Sequence, residues 1–263
     1  MSLDKEQIER YARHLILKEV GGQGQEKLLH ARVLIVGAGG LGAPLILYLA
    51  AAGVGTLGIV DDDRVALSNL QRQVIHKSSE VGRLKTESAA AAVKALNPGI
   101  AVEEHPYRLI RGNALDIVSR YDIVADGSDS FATRVLVNDA CYFAAKPLVS
   151  AAVGQFDGQL ATFKPRAGEG LPCYRCLFPE TPPPGSVPTC AEAGILGALA
   201  GVMGALQAME VLKELLGIGD SLAGRLLLYD GLQGTIRTVR LKADPACALC
   251  GPKATIADFT RPC

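Results

Sequence analysis

Apolar and polar positions follow two different periods along this chain, and the change from one to the other divides it. Over residues 5–30, Ile8, Tyr11, Leu15 and Ile16 recur at helical spacing, which predicts an amphipathic helical segment that breaks at Gly21-Gly22. Short apolar runs then alternate with longer apolar or Ala-rich stretches. Strands are expected over 33–36, 56–60, 102–107, 123–125 and 148–150, and helices over 44–52, 85–96 and 133–144. Strands alternating with helices imply a parallel sheet covered on both faces. Beyond residue 150 the pattern changes to a strand over 159–163, a Pro- and Gly-rich stretch over 165–192 and an apolar helix over 195–216. Strands over 225–229 and 236–241 and a Cys-rich tail follow. A loop as long as 165–192 is usually functional or mobile.

Composition narrows the class. Apolar residues make up 49% of the 263, enough for a sizeable core. Lys+Arg and Asp+Glu both number 27, so no net field draws the chain to nucleic acid or to an anionic membrane. The N-terminus is charged from Asp4 onward and has no apolar signal core. The longest apolar stretch, 195–209, is short for a membrane span and is interrupted by Gln207. A cytoplasmic location is the expectation.

The first run of chemistry is ARVLIVGAGGLG, which puts Gly37, Gly39 and Gly42 in GxGxxG spacing between an expected strand and helix. Such glycines allow a tight turn and close approach to phosphate, while a helix N-terminus offers unpaired N–H groups to an anion. Asp61 ends the next strand, where a carboxylate accepts from ribose hydroxyls. These features alone fit NAD. The following LSNLQRQ segment, with Ser68, Asn69, Arg72 and Gln73, and then Lys85, does not. A dinucleotide has no evident need of two cations beside its ribose, whereas carboxylate attack on a triphosphate brings two anions together. Taken singly, Arg72 and Lys85 also read as a solvated surface pair. Asp126 and Asp129 follow the fourth strand, where a carboxylate could hold Mg²⁺ against phosphates. Capping of the next helix is the alternative, and for Asp126 both readings stand.

Seven cysteines without a signal peptide argue against a disulfide framework. Cys173-x-x-Cys176 and Cys247-x-x-Cys250 are two pairs able to close a tetrahedral Zn²⁺ site, pinning the tail to the long loop with no position left for water. Cys141 reads as a core residue and Cys263 has no assigned role. Histidines 14, 30, 76 and 105 fall in no catalytic constellation and read as structural or exposed.

Taken in order, RYAR (10–13), GAGGLG (37–42), DDDRVALSNLQRQ (61–73), Lys85, SDSFATR (128–134), CYRC (173–176), PTCAEAG (188–194) and CALC (247–250) resemble the ubiquitin-activating-type adenylyltransferases. The likeness runs over roughly residues 5–251 and is greatest to the bacterial molybdopterin-synthase branch, with the thiazole-biosynthesis branch a near relative. It implies ATP-dependent adenylation of the C-terminal Gly-Gly carboxylate of a ubiquitin-like sulfur carrier, with ATP, Mg²⁺ and Zn²⁺ as cofactors. The implied carrier is the small subunit of molybdopterin synthase; the thiamine-pathway carrier is the alternative. By this resemblance Gly40 and Asp61 contact the nucleotide, Asn69, Arg72 and Lys85 contact ribose or phosphates, and Asp129 is the magnesium-linked acid. Arg13 reaches the phosphates of a neighbouring subunit, which implies a homodimer with 195–216 as a plausible contact. Cys190 matches a cysteine that in some relatives links covalently to the carrier. One departure is Ser-Asp-Ser at 128–130 where the family commonly has Thr-Asp-Asn, so a side-chain amide at Ser130 is missing.

The expected architecture is therefore an α/β fold with a Rossmann-like, doubly wound, mostly parallel sheet extended by C-terminal strands and a zinc-pinned tail. Residues 1–263 are read as a single adenylation domain, with an N-terminal helical segment (1–30), a nucleotide-binding core (31–164) and a C-terminal part (165–263). The ending near the zinc motif leaves no appended sulfur-transfer domain, so a separate sulfur donor is expected. An NAD-dependent oxidoreductase and an idle scaffold remain as competing functions; the first leaves Arg72, Lys85, Asp129 and the cysteine pairs unexplained.

Overall fold

A computed structural model describes residues 3–180, 182 and 190–259, apart from the side chains of 190 and 191; Cys263 and most of PETPPPG lie outside the described residues. The N-terminal helical segment is three short helices, α1 (Lys5–Arg10), α2 (Ala12–Leu15) and α3 (Gly21–His30). Gly21, expected to break the segment, instead opens α3 with φ +57°. Of the apolar stripe only Tyr11 is buried, while Ile8 and Ile16 remain exposed.

The core follows as β1 (Arg32–Val36), α4 (Gly42–Ala52), β2 (Thr56–Val60), α5 (Lys85–Leu96), β3 (Ala101–His105), α6 (Arg111–Ser119), β4 (Ile123–Asp126), α7 (Phe131–Ala144) and β5 (Leu148–Val153). These five strands run parallel in the order β3-β2-β1-β4-β5. Then β6 (Asp157–Phe163), β7 (Arg225–Asp230) and β8 (Thr235–Arg240) add antiparallel strands at one edge, giving eight in all. Between β6 and β7 lie α8 (Tyr174–Leu177), α9 (Cys190–Ala193) and α10 (Gly197–Leu216). Two apolar layers flank the sheet. One packs α4 and α10 on Ile35, Leu57 and Val149; the other packs α6 and α7 on Leu34, Val124 and Leu148. The opposite orientation of neighbouring side chains such as Leu34 and Ile35 is the strand period of two, and it makes both faces of β1 apolar.

The chain leaves β1 toward β2 on one side and β4 on the other, so the strand order reverses between β1 and β4. Ligands of open α/β sheets bind at such a reversal, beyond the carboxyl ends of the strands. Here Gly37 and Gly127 meet at that point. The buried Gln207 of α10 fixes it from one face, its Nε2 donating to the carbonyls of Asp126 at 2.9 Å and Val149 at 3.0 Å. No helix among the described residues is long and apolar enough to cross a membrane.

Candidate active site

A cavity of about 640 Å³ opens at the strand reversal, lined by the glycine loop, the ends of β2 and β4, and the segments after β2 and β3. Its floor is the turn from β1 to α4. Gly37 has φ +95°, and a Cβ on Gly42 would sit 1.9 Å from the Gly37 carbonyl oxygen, so neither position admits another residue without moving the loop. Gly37, Gly39 and Gly40 line the cavity, whereas Gly42 packs the helix against the strand end. The amides of Gly39 and Gly40 have no acceptor among the described residues, the arrangement that receives an anion.

Asp61 lines the same cavity and fixes the loop. Its Oδ2 accepts from the Ala38 amide at 2.8 Å and its Oδ1 from the Asp63 amide at 2.9 Å. Burial raises its carboxyl above the ordinary value, and Lys85 and the two amides oppose that rise. Lys85, first residue of α5, is 5% exposed, with its Nζ 2.8 Å from Asp63 Oδ2. The surface-pair reading of Lys85 is thereby removed: a buried ammonium faces the cavity with one exposed carboxylate as its partner. Arg72 also lines the cavity and donates to the Ser68 carbonyl at 3.2 Å. Asn69, on a 3-10 turn at Leu67–Asn69, is half-buried and is not among the lining residues.

Asp126 and Asp129 separate clearly. Asp126 is fully buried, accepting from the Ser128 amide at 3.0 Å and the Ser150 hydroxyl at 3.4 Å. Burial pushes its carboxyl up, against the Coulombic pull of Arg134. Asp129 is exposed at the cavity. Ser130, in place of the amide common at that position, is the N-cap of α7, accepting from the Thr133 amide at 3.5 Å. Sequence reasoning missed Arg134, a third cation on the wall. It is 8% exposed and donates to the Ser128 carbonyl. Gln73 was also given no role; it is buried, lines the cavity and has an unpaired Oε1. Both lie inside motifs visible in the sequence, but only the fold turns them inward.

Arg13 is not among the lining residues. Its neighbours Tyr11 and His14 are tied to the far end of α4: Asn97 Nδ2 donates to the Tyr11 hydroxyl at 2.9 Å and to the Ala50 carbonyl at 2.8 Å, and Gln25 links His14 to the Ala52 carbonyl. The eleven residues of α4 put about 15 Å between that end and the glycine loop at 1.5 Å per residue.

The four cysteines of the two CxxC pairs converge. Sγ atoms of Cys173 and Cys247 lie 3.6 Å apart, Cys176 and Cys250 3.3 Å, and Cys173 and Cys176 3.9 Å. A tetrahedron with Zn–S bonds of 2.3 Å has edges of about 3.8 Å, so the donor set and spacing fit Zn²⁺. Bonding among the four sulfurs draws the Cys176 thiol down and, together with burial, pushes the Cys173 and Cys250 thiols up, so the cluster shares its protons as one unit. Arg175, between the first two cysteines, forms a fork on buried Asp139 of α7 at 2.8 Å per arm, and the Tyr174 amide donates to Asn138 Oδ1 at 2.8 Å. The hook is thus bonded to the helix whose N-terminus carries the cavity. Cys190 begins α9, but its side chain lies outside the described residues.

A doubly wound sheet with a glycine-loop anion site, three inward cations and a Cys₄ hook defines a nucleotide-binding α/β protein with a zinc-type structural clasp. Comparison with known proteins sharpens that class: the chain belongs to the ThiF family, whose model matches residues 11–249, and it is an adenylyltransferase. It is 52% identical to the sulfur carrier protein adenylyltransferase of Thermus thermophilus over 97% of this chain and 95% of that one. It is equally similar, at 52%, to the SAMP-activating enzyme E1 of Haloferax volcanii, over 95% and 92% of the two chains. The adenylyltransferase and sulfurtransferase MOCS3 of Bos taurus is 52% identical over 98% of this chain, which spans 56% of that protein. Among solved structures, E. coli MccB crystallised with AMPCPP and MccA shares the fold, with TM-score 0.80 over 92% of this chain and 74% of that one at 24% identity.

Proposed function

We propose that this adenylyltransferase uses MgATP to adenylate the C-terminal Gly-Gly carboxylate of a ubiquitin-like sulfur carrier, and that the carrier is the small subunit of molybdopterin synthase in molybdenum cofactor biosynthesis. The observation that carries the proposal is the gathering of Arg72, Lys85 and Arg134 on a cavity floored by the glycine loop. A C-terminal carboxylate is ionised at neutral pH, so its attack on the α-phosphorus of ATP requires no general base. A bond forms between carboxylate oxygen and α-phosphorus, the bond from that phosphorus to the bridging oxygen breaks, and pyrophosphate leaves with the electron pair. Two anions must approach, and cations fixed beforehand offset their repulsion.

The residues divide that work. Arg72 binds phosphate oxygens as a fork, and Lys85 exchanges Asp63 for phosphate as a movable point charge. Arg134 holds the Ser128 carbonyl and so sets the turn presenting Asp129. Asp129, an exposed carboxylate, would hold Mg²⁺, which supplies further charge neutralisation at the phosphates. Asp61 and Asn69 serve the ribose side. Zn²⁺ on Cys173, Cys176, Cys247 and Cys250 clasps the tail. Arg13, far from its own cavity, serves the site of a second copy, and the exposed Val202 and Met209 of α10 suit a contact between copies. Cys190 takes part in sulfur relay after adenylation, with sulfur from a separate donor protein.

The test is ATP–pyrophosphate exchange with the purified chain and each of two carriers, from the molybdopterin and thiamine pathways. Exchange with the first alone is the expected result; exchange with the second alone transfers the assignment to thiamine. Exchange with neither, together with nicotinamide absorbance changes, would overturn it in favour of a dehydrogenase.

A further inference from the structure

His76 was expected to be structural or exposed, and it is 6% exposed with both ring nitrogens committed. Nε2 lies 2.9 Å from the carbonyl oxygen of Ala38, inside the glycine loop, and Nδ1 lies 2.7 Å from the Ser88 hydroxyl on α5. The Ser88 hydroxyl in turn lies 2.7 Å from Glu80 Oε2. A carbonyl only accepts, so Nε2 carries a proton and donates it to Ala38. On the other side of the same residue, the Ala38 amide donates to Asp61 Oδ2 at 2.8 Å. Ala38 is therefore held at both of its backbone polar groups.

The peptide joining Ala38 to Gly39 is planar and trans, so its C=O and N–H point in opposite directions. A carbonyl drawn down onto buried His76 forces the Gly39 N–H to point the other way. Gly39 lines the cavity, and its amide has no acceptor among the described residues. We infer that His76 is a positioning residue that aims the Gly39 amide at the phosphates of the bound nucleotide, with Ser88 and Glu80 orienting its ring. This rests on the nucleotide reading of the cavity but is separable from it by experiment. His76 touches no reacting atom; it acts through one peptide plane. Preorganised amides of this kind lose value when they must be reoriented on binding.

The test compares two substitutions of similar size. In His76→Gln the side-chain amide reaches the position of Nε2 and can still donate to Ala38. In His76→Asn it reaches only the position of Nδ1, so Ser88 keeps a partner and Ala38 loses one. Calorimetric dissociation constants are measured for ATP and for adenosine, with melting temperature and zinc content as checks on the fold. His76→Asn should weaken ATP by about tenfold or more, the scale of a lost charge-assisted hydrogen bond, and change adenosine by less than about twofold. His76→Gln should stay within about threefold of wild type for both, since the donor is retained. Equal ATP affinities for the Asn and Gln proteins, or equal losses for ATP and adenosine, would overturn the inference. A wild-type protein that binds neither ligand would overturn the nucleotide reading instead.

Discussion

At the mouth of the cavity Asp129 stands exposed, one residue before the cap that starts α7. Its neighbour Asp126 spends its oxygens on Ser128 and Ser150 inside the protein. The two carboxylates therefore do different work: removing Asp126 would strip a buried turn of its acceptor, whereas removing Asp129 takes away charge and leaves the packing alone. Asp129→Ala should lower ATP–pyrophosphate exchange by about two to three orders of magnitude, as loss of a transition-state electrostatic contact does. Its melting temperature and carrier binding should stay near wild type. Cys190→Ala should exchange normally, because forming the adenylate needs no thiol. A stopped Cys190→Ala enzyme beside an active Asp129→Ala one would replace this mechanism with thiol activation. That Arg72, Lys85 and Asp129 share one cavity was legible in the sequence because all three sit in motifs with chemical meaning. Arg134 and His76 were not, since an arginine four residues into a helix and a lone histidine acquire roles only when the chain folds them under the loop.

Elements were legible wherever period and punctuation agreed. The run from β1 to α4 and the long α10 lie within a few residues of expectation, because glycines end the strands and sustained apolar stretches mark the helices. Helix α6 was missed, although Ala114, Ile117, Val118 and Tyr121 have helical spacing and are all buried. Asn113 caps its start, its Oδ1 accepting from the Ile110 amide at 2.9 Å. Nor did strand patterns reveal how β1, β3 and the end of α6 are tied. Glu103 on β3 accepts from Arg32 on β1 and from the Tyr121 hydroxyl, each at 2.6 Å, and His105 bonds the same hydroxyl at 2.8 Å. Bonding to Tyr121, then to Arg32, holds the Glu103 carboxyl below its ordinary value of 4.5, against burial. A depressed carboxylate stabilises the fold at pH above its unfolded value, and that share is lost as pH falls through the folded value. Acid unfolding below pH 4.5 should therefore be shallower in Glu103→Gln, which has no such proton to gain, than in wild type; identical acid limbs would remove Glu103 from the account. The cysteine hook is a second tie between elements. Chelation of the metal, or Cys173→Ser with Cys176→Ser, should release zinc and lower the melting temperature. Full metal retention in that double variant would end the Cys₄ assignment.

On the scale of the whole molecule, the cavity gathers its groups from nearly the full chain, yet the one expected contributor from the N-terminal segment is elsewhere. Tyr11 and His14 fasten that segment to the terminal turn of α4, and Ile16 and Leu17 beside it stay exposed. Of the apolar positions that marked this segment, Tyr11 is buried while Ile8 and Ile16 face outward. A closed twofold arrangement would let each Arg13 reach across to its neighbour's phosphates. The geometry makes complementation the decisive measurement. Arg13→Ala and Asp129→Ala chains should each be inactive alone. Mixed in equal amounts after dissociation, half of the dimers carry one of each, and in those dimers one site of the two has both wild-type residues. Recovered exchange activity should approach about one quarter of the wild-type value, by random pairing in a twofold dimer. If Arg13 served its own cavity, every mixed dimer would contain one site lacking Arg13 and one lacking Asp129, and activity would not return. Sedimentation under assay conditions provides the independent check: a fully active monomer is incompatible with a shared site.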